Sequence, residues 1–344
     1  MDIQIINPIT YLGWDNLLLN TPGYSFFHSS AWAKVLNESY QYKPTYFTVF
    51  ERDKILALIP VMGIRSILTG SRGVSLPFSD YCEPIIGADI QLQGLLNHII
   101  DFGKTTGWNY IELRGGGCHM THFPQSINYI GHILNLSEDN ETNFLSFNHA
   151  TKKAIRRSIR KDVTVTMHNS LESVKDFYKL NVITRKRHGL PPQPYRFFEK
   201  LYDYVISKDM GIVLLASWKD RVVAGAIYFH FGEHAICKYS ASEHKYHHLR
   251  ANNIITWEAI KWYSQKGYKK LSFGRTDIEH QGLRTFKTGW GMKEYIIGYY
   301  KYDLKKDVFI KNSPKNTKLS NLIFSKMPLS LLKIIGSILY KHVG

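Results

Sequence analysis

The 344 residues exceed one compact domain of ordinary size, which predicts two units on one chain. A composition 44% apolar, 21% charged and 14% aromatic excludes a disordered, collagenous or coiled-coil protein. Forty-four Lys and Arg against 28 Asp and Glu leave a net charge of +16, so a polyanion is an expected partner: phosphorylated ligand, nucleic acid or anionic lipid.

Met1-Asp2-Ile3-Gln4 opens on an acid and lacks the basic start and apolar run of a secretory signal. No internal run approaches the roughly 20 apolar residues that span a bilayer, so the expectation is a cytoplasmic protein. Thr45–Phe50 and Ile55–Ile64, joined by Glu51-Arg52-Asp53-Lys54, read as a β-hairpin. An amphipathic helix over Leu92–Thr106 follows, stops at Gly107 and leads into a strand, Trp108–Arg114. The same script returns in the second half. Gly211–Ser217 and Val222–Phe229 form a hairpin around Trp218-Lys219-Asp220-Arg221, and a helix over Asn252–Lys266 stops at Gly267 before the strand Tyr268–Arg275. A glycine just past a helix supplies the left-handed residue of a C-terminal cap. The glycines are 160 residues apart and the turn aspartates 167, which points to duplication into two mixed α/β domains. Three cysteines, Cys82, Cys118 and Cys237, lie too far apart for a disulfide framework or a clustered zinc site.

Between the repeats, Phe144–Lys161 reads as one helix with Ile155 and Ile159 on a stripe. Lys152, Lys153, Arg156, Arg157, Arg160 and Lys161 load it with charge and no acid follows until Asp162. Like charges four residues apart disfavour an isolated helix by a few tenths of a kcal/mol per pair, so these cations are candidate polyanion-binding residues. After Asp307 there is again no acid, while Lys311, Lys315, Lys318, Lys326, Lys333 and Lys341 follow. Within Pro328–Val343, Ser330, Lys333, Ser337 and Lys341 share one face of a helix that is otherwise apolar, so residues 306–344 read as a basic amphipathic tail. Such a tail either packs on the first domain or lies in a membrane interface.

The run Phe26-Phe27-His28-Ser29-Ser30-Ala31-Trp32-Ala33-Lys34-Val35 resembles the opening of the FemAB-like aminoacyl/acyltransferases, which include BioF2-like acetyltransferases and belong to the GNAT superfamily. The basic helix, Thr184-Arg185-Lys186-Arg187-His188-Gly189, Phe273-Gly274-Arg275-Thr276 and Phe286-Lys287-Thr288-Gly289-Trp290-Gly291 match the same family in the same order. The resemblance implies an α/β (α+β) fold of two tandem GNAT-like domains flanking a cleft, expected here at 1–144 and 145–305. It also implies transfer of an aminoacyl or acyl group from tRNA or acyl-CoA, with no tightly bound cofactor, to an amine of a peptidoglycan or envelope-polysaccharide precursor.

Aminolysis of an ester or thioester needs an oriented amine and a cation beside the developing oxyanion. Lys287, expected in a glycine-containing turn after Phe286, is the candidate, and the resemblance gives the corresponding lysine contacts with the donor end. The resemblance makes Arg187 the arginine on acceptor phosphate, with Arg185 adding field strength, and puts Lys34 near a lysine of the same role. Arg275 and Asp277 stand at the carboxyl end of a strand, where α/β sheets face ligands, and Asp277 or Glu279 is the candidate for the amine's proton. Phe286 and Trp290 complete the substrate-binding candidates.

The usual acyl-CoA turn carries glycines whose amides hold pyrophosphate. At that place stand His247-His248-Leu249-Arg250-Ala251-Asn252-Asn253, without them. His244, His247 and His248 lack a carboxylate or cysteine to complete a metal set, and Gly115-Gly116-Gly117 opens no helix that would form a phosphate loop. The alternatives are an acyl-CoA-dependent N-acyltransferase on an amino sugar, and a non-catalytic RNA- or membrane-binding adaptor.

Overall fold

The computed structural model describes residues 2–311 and 318–344, with the side chains of 318 and 319 left aside. Lys315 of the expected tail and the side chain of Lys318 therefore lie outside the described residues. In chain order the elements are β1 (Ile3–Ile6), α1 (Trp14–Leu19), α2 (Ser30–Tyr40), β2 (Lys43–Glu51), β3 (Lys54–Ile64), β4 (Arg72–Val74), β5 (Ile85–Ile86), α3 (Leu92–Thr105), β6 (Tyr110–Arg114) and β7 (Ile127–Asn135). There follow α4 (Asn140–Ser146), α5 (His149–Arg160), β8 (Thr164–His168), α6 (Leu171–Arg187), α7 (Tyr195–Tyr204), β9 (Gly211–Trp218), β10 (Arg221–Phe231) and β11 (His234–Ser242). The last are α8 (Ala251–Gln265), β12 (Lys270–Asp277), α9 (Gln281–Thr288), β13 (Lys293–Asp303), β14 (Val308–Ile310), α10 (Lys318–Lys326) and α11 (Leu329–Leu339).

Two compact units emerge: residues 2–130, 296–311 and 339–344 in the first, 131–295 and 318–338 in the second. The expected boundary at 144/145 differs from the observed one at 130/131. Residues 296–303, expected in the second domain, group with the first because β13 pairs antiparallel with β6, Tyr299 opposite Arg114 and Asp303 opposite Tyr110.

In the first unit the strands run β1-β2-β3-β4-β6-β13, antiparallel except for β4 beside β6. Alternate residues Phe47, Val49, Ala57, Ile59 and Val61 face the stripe Leu95, Leu96 and Ile99 of α3 in one core. In the second unit the order is β12-β11-β10-β9-β8, with β11 and β12 parallel. Leu214, Ala216, Ala224, Ala226 and Tyr228 meet Ile254, Ile255, Ala259 and Ile260 of α8.

Both repeat helices close alike. Gly107 (φ 72°) lets the Trp108 amide reach the Gly103 carbonyl at 2.8 Å, and Gly267 (φ 80°) lets Tyr268 reach Tyr263 at 3.0 Å. These are the six-to-one bonds of a Schellman cap. The basic helix departs from expectation. Phe144–Lys161 is broken at Phe147-Asn148, because Phe147 is buried beside Trp290 and the Asn148 side chain caps α5 by accepting from the Thr151 amide.

Candidate active site

Lys287 lies in the last turn of α9, where a helix was not expected, and only 5% of it is exposed. Its ammonium donates to the carbonyls of Phe273 and Arg275, the latter at 3.2 Å. Both carbonyls belong to β12, so the cation is seated at the carboxyl end of that strand. Gly289 ends α9 in close contact with α5, since a Cβ there would stand 2.6 Å from the Thr151 hydroxyl. Phe286 is half-buried against Trp290, whose own indole is fully buried on Phe147; Trp290 is therefore a core residue. Arg275 is half-buried on β12, and Asp277, at its end, is exposed.

A second polar group, under the electrostatic influence of Lys287, carries no motif of its own. His132, on β7, is wholly buried, and its Nε2 stands 3.0 Å from Oε1 of Glu294 on β13. Arg284 of α9 grips the same carboxylate through Nε at 3.2 Å and Nη2 at 2.9 Å. This fork holds the Glu294 carboxyl below the usual carboxylate range. Burial first, and the Lys287 charge second, hold the His132 imidazole below the usual histidine range. Its Nδ1 is buried without a hydrogen-bond partner among the described residues.

Arg187, at the end of α6, is exposed. Its guanidinium spreads over His247 Nε2 at 3.2 Å, His188 Nε2 at 3.4 Å and the Ser242 carbonyl at 3.4 Å. A guanidinium only donates, so both imidazole nitrogens accept and both rings are neutral here. Partial burial and then the Arg187 charge lower each histidine's pKa. The Ser242 hydroxyl joins His247 at 3.1 Å, and Ser242, Tyr246, His247, Arg250, Asn252 and Phe286 line a cavity of about 140 Å³ at the start of α8. Arg185 instead turns to the Pro191 carbonyl at 3.2 Å. Among the described residues no set of three His, Cys, Asp or Glu gathers at metal-ligand distance.

On α5, Thr151, Ile155 and Ser158 face inward, and the Ser158 hydroxyl binds the Leu249 and Arg250 carbonyls at 2.9 Å, anchoring the turn that leads into α8. The outward face carries Lys153, Arg156, Arg157 and Arg160, with no carboxylate paired to any of them among the described residues. His149, Lys153, Arg156, Ile159 and Arg160 border a groove of about 460 Å³. Lys152 caps the Leu145 carbonyl at 2.9 Å and, with Arg156, lies over the Phe144 ring.

In the first unit, Lys34 is half-buried on α2, and much of the motif around it is structural. His28 accepts from the Ser25 amide on Nδ1 at 3.1 Å and donates from Nε2 to the Glu83 carbonyl at 2.9 Å, while Trp32 is fully buried. Burial pushes His28 down to about 4 and the Glu83 carboxyl up to about 7. Gly115 and Gly117 press on that carboxyl so closely that a Cβ on either would stand within 3.2 Å of it. The tail helix α11 buries Leu332 and Gly336 and exposes Leu331, Ile334 and Ile338. Beyond it, in the first unit, Arg72 donates to the carbonyls of His342 at 2.7 Å and Gly344 at 3.1 Å. No described helix is long and apolar enough to cross a membrane.

Three comparisons bear on this architecture. Residues 146–288 match the acetyltransferase (GNAT) domain family. A lipid II:glycine glycyltransferase of Staphylococcus haemolyticus is 22% identical, with 52% of this chain and 59% of that relative covered. The crystal structure of FemX superposes with a TM-score of 0.68 at 15% identity, covering 89% of this chain and 98% of that one. A tandem GNAT protein from clavulanic acid biosynthesis does so at 0.54 and 6% identity, over 92% and 100%. The chain thus has the fold of a tandem GNAT protein, with a GNAT-type domain matched over residues 146–288. The likeness to that glycyltransferase and to the FemX fold runs in the same direction as the motif resemblance to FemAB-like transferases.

Proposed function

We propose that this chain is an amide-forming acyltransferase, moving an aminoacyl or acyl group from an activated ester or thioester to an amine of a cell-envelope precursor. The observation that carries this reading is the buried Lys287 ammonium at the end of β12, inside the stretch matched as an acetyltransferase domain. As the amine nitrogen attacks, the carbonyl oxygen gains negative charge, and a fixed cation in a site shielded from water stabilises it without reorganisation. Arg187 offers a planar fork to acceptor phosphate. Phe286 and Arg275 border the reacting groups, and Lys153, Arg156, Arg157 and Arg160 give a polyanionic donor an unpaired surface.

Aminoacyl-tRNA is the preferred donor. At the start of α8 the chain offers side chains and a left-handed Arg250 (φ 58°) where an acyl-CoA loop would offer glycine amides. The S. haemolyticus relative is named for lipid II and glycine, which supports a peptidoglycan-type, lipid-linked acceptor. We place the enzyme in the cytoplasm, with the exposed Leu331, Ile334 and Ile338 of α11 and its neighbouring lysines touching the inner membrane face. The match to an acetyltransferase domain favours one second reading, acyl-CoA-dependent N-acylation of an amino sugar. Incubation with radiolabelled glycyl-tRNA or acetyl-CoA and lipid-extractable precursors separates them. Label entering an amide from tRNA is the expected result, label from acetyl-CoA selects the second reading, and label from neither overturns both in favour of a binding adaptor.

A further inference from the structure

We propose that His132 is the proton acceptor of the transfer and that Glu294 is the residue that positions it. The inference rests on the acyltransfer reading above. A carboxylate can only accept, so the contact between His132 Nε2 and Glu294 Oε1 at 3.0 Å puts the ring's hydrogen on Nε2. Nδ1 is then a bare lone pair, wholly buried and without a partner among the described residues. Proteins seldom leave a buried acceptor empty.

Two other buried histidines show what a purely structural ring does here. His28 spends both nitrogens, on the Ser25 amide and the Glu83 carbonyl. His230 spends both as well, on the Tyr263 hydroxyl at 3.0 Å and the Asp209 carbonyl at 2.7 Å. His132 alone of the three keeps one nitrogen in reserve. It does so with a carboxylate fixing the opposite nitrogen, and that carboxylate is itself fixed by Arg284. A carboxylate, an imidazole and an unfilled lone pair in that order form a base that cannot turn away from its task.

Burial first, then the charges of Lys287 and Arg284, depress the ring's basicity against the opposing pull of Glu294. The imidazole is therefore neutral near pH 7 and returns its proton readily. In the step proposed, the acceptor nitrogen forms the new C–N bond while the bond from the carbonyl carbon to the donor oxygen or sulfur breaks. The nitrogen's proton passes to His132 Nδ1, directly or across one water, and from there to the departing oxygen or sulfur. No other reactant is consumed.

Three proteins test this in the label-transfer assay: wild type, His132→Asn and Glu294→Gln. Glu294 is partly exposed, so its amide variant folds even where a change at the buried ring does not. We expect kcat to fall about 100-fold in H132N, a typical share for a general base, and about 10-fold in E294Q, with KM little changed in both. The acid limb of the wild-type pH–rate profile should move in E294Q. Nitrogen-15 NMR of labelled histidine should show His132 as the Nε2–H tautomer at pH 7.5. A proton on Nδ1, or wild-type rates with an unmoved acid limb in E294Q, overturns the assignment while leaving the acyltransfer reading standing. A wild-type protein that makes no amide from any donor overturns that reading, and the base with it.

Discussion

Helix α3 of the first unit and helix α8 of the second end in the same Schellman turn, on Gly107 and Gly267, yet they are buried to different extents. Helix α3 turns one stripe, Leu95, Leu96, Ile99 and Gly103, to its sheet. Helix α8 buries Ala251, Asn253, Ile254, Ile255, Thr256, Ala259, Ile260, Tyr263 and Ser264, because α5 packs on it in addition to the sheet. The polar interiors differ in the same sense. In the first unit His28 has both ring nitrogens satisfied, whereas the second holds a buried ammonium and a half-satisfied imidazole that feels its charge. The repeated frame is thus kept by backbone caps, while the proposed chemistry falls to side chains present in one copy.

The sharpest break of that asymmetry is Lys287→Ala. It should lower amide turnover by 10²–10³-fold, the usual loss for one oxyanion donor, and undiminished turnover would remove Lys287 from the site. Glu83→Gln, the contrasting change in the first unit, should act on stability and leave turnover alone. The folded state raises the Glu83 pKa from 4.5 to about 7 by burial. The native protein therefore favours the protonated form, and stability falls as pH rises from the unfolded value through the folded one. E83Q should melt roughly 5 °C above wild type at pH 8 and near it at pH 4; an equal gain at both pH values would contradict the burial argument.

Smaller effects probe the shared frame. Gly107→Ala and Gly267→Ala meet no neighbouring atom, so each should cost about 1 kcal/mol from the left-handed backbone alone. Clearly unequal losses in urea unfolding would argue against equivalent caps. Least of all in stability, Arg157→Glu should add a few tenths of a kcal/mol by relieving like-charge spacing on α5. It should also flatten the salt dependence of tRNA binding by about one unit of slope. An unchanged slope would take α5 out of the polyanion surface.

Repeats, hairpins and capping glycines were legible because they are local: alternation, a turn and one residue of special backbone freedom lie within a few positions. Lys287 stood out in its motif, although its helix did not, since Gly289 sits close after it and reads as a turn. The break in the basic helix was signalled by Asn148, a good cap, but the cations on both sides masked it. His132 was invisible for a physical reason. Its partner lies 162 residues away, and a histidine within an alternating strand looks like any inward-facing residue until the sheet is assembled.

The unpaired cations of α5 have a kinetic consequence. At physiological ionic strength their field reaches only about 8 Å before mobile ions cancel it, and at 0.01 M about 30 Å. A polyanion would be drawn in from several times farther away in dilute buffer. Turnover measured there would report capture that is faster than anything the protein achieves at cellular salt, and rates from the two conditions should not be pooled.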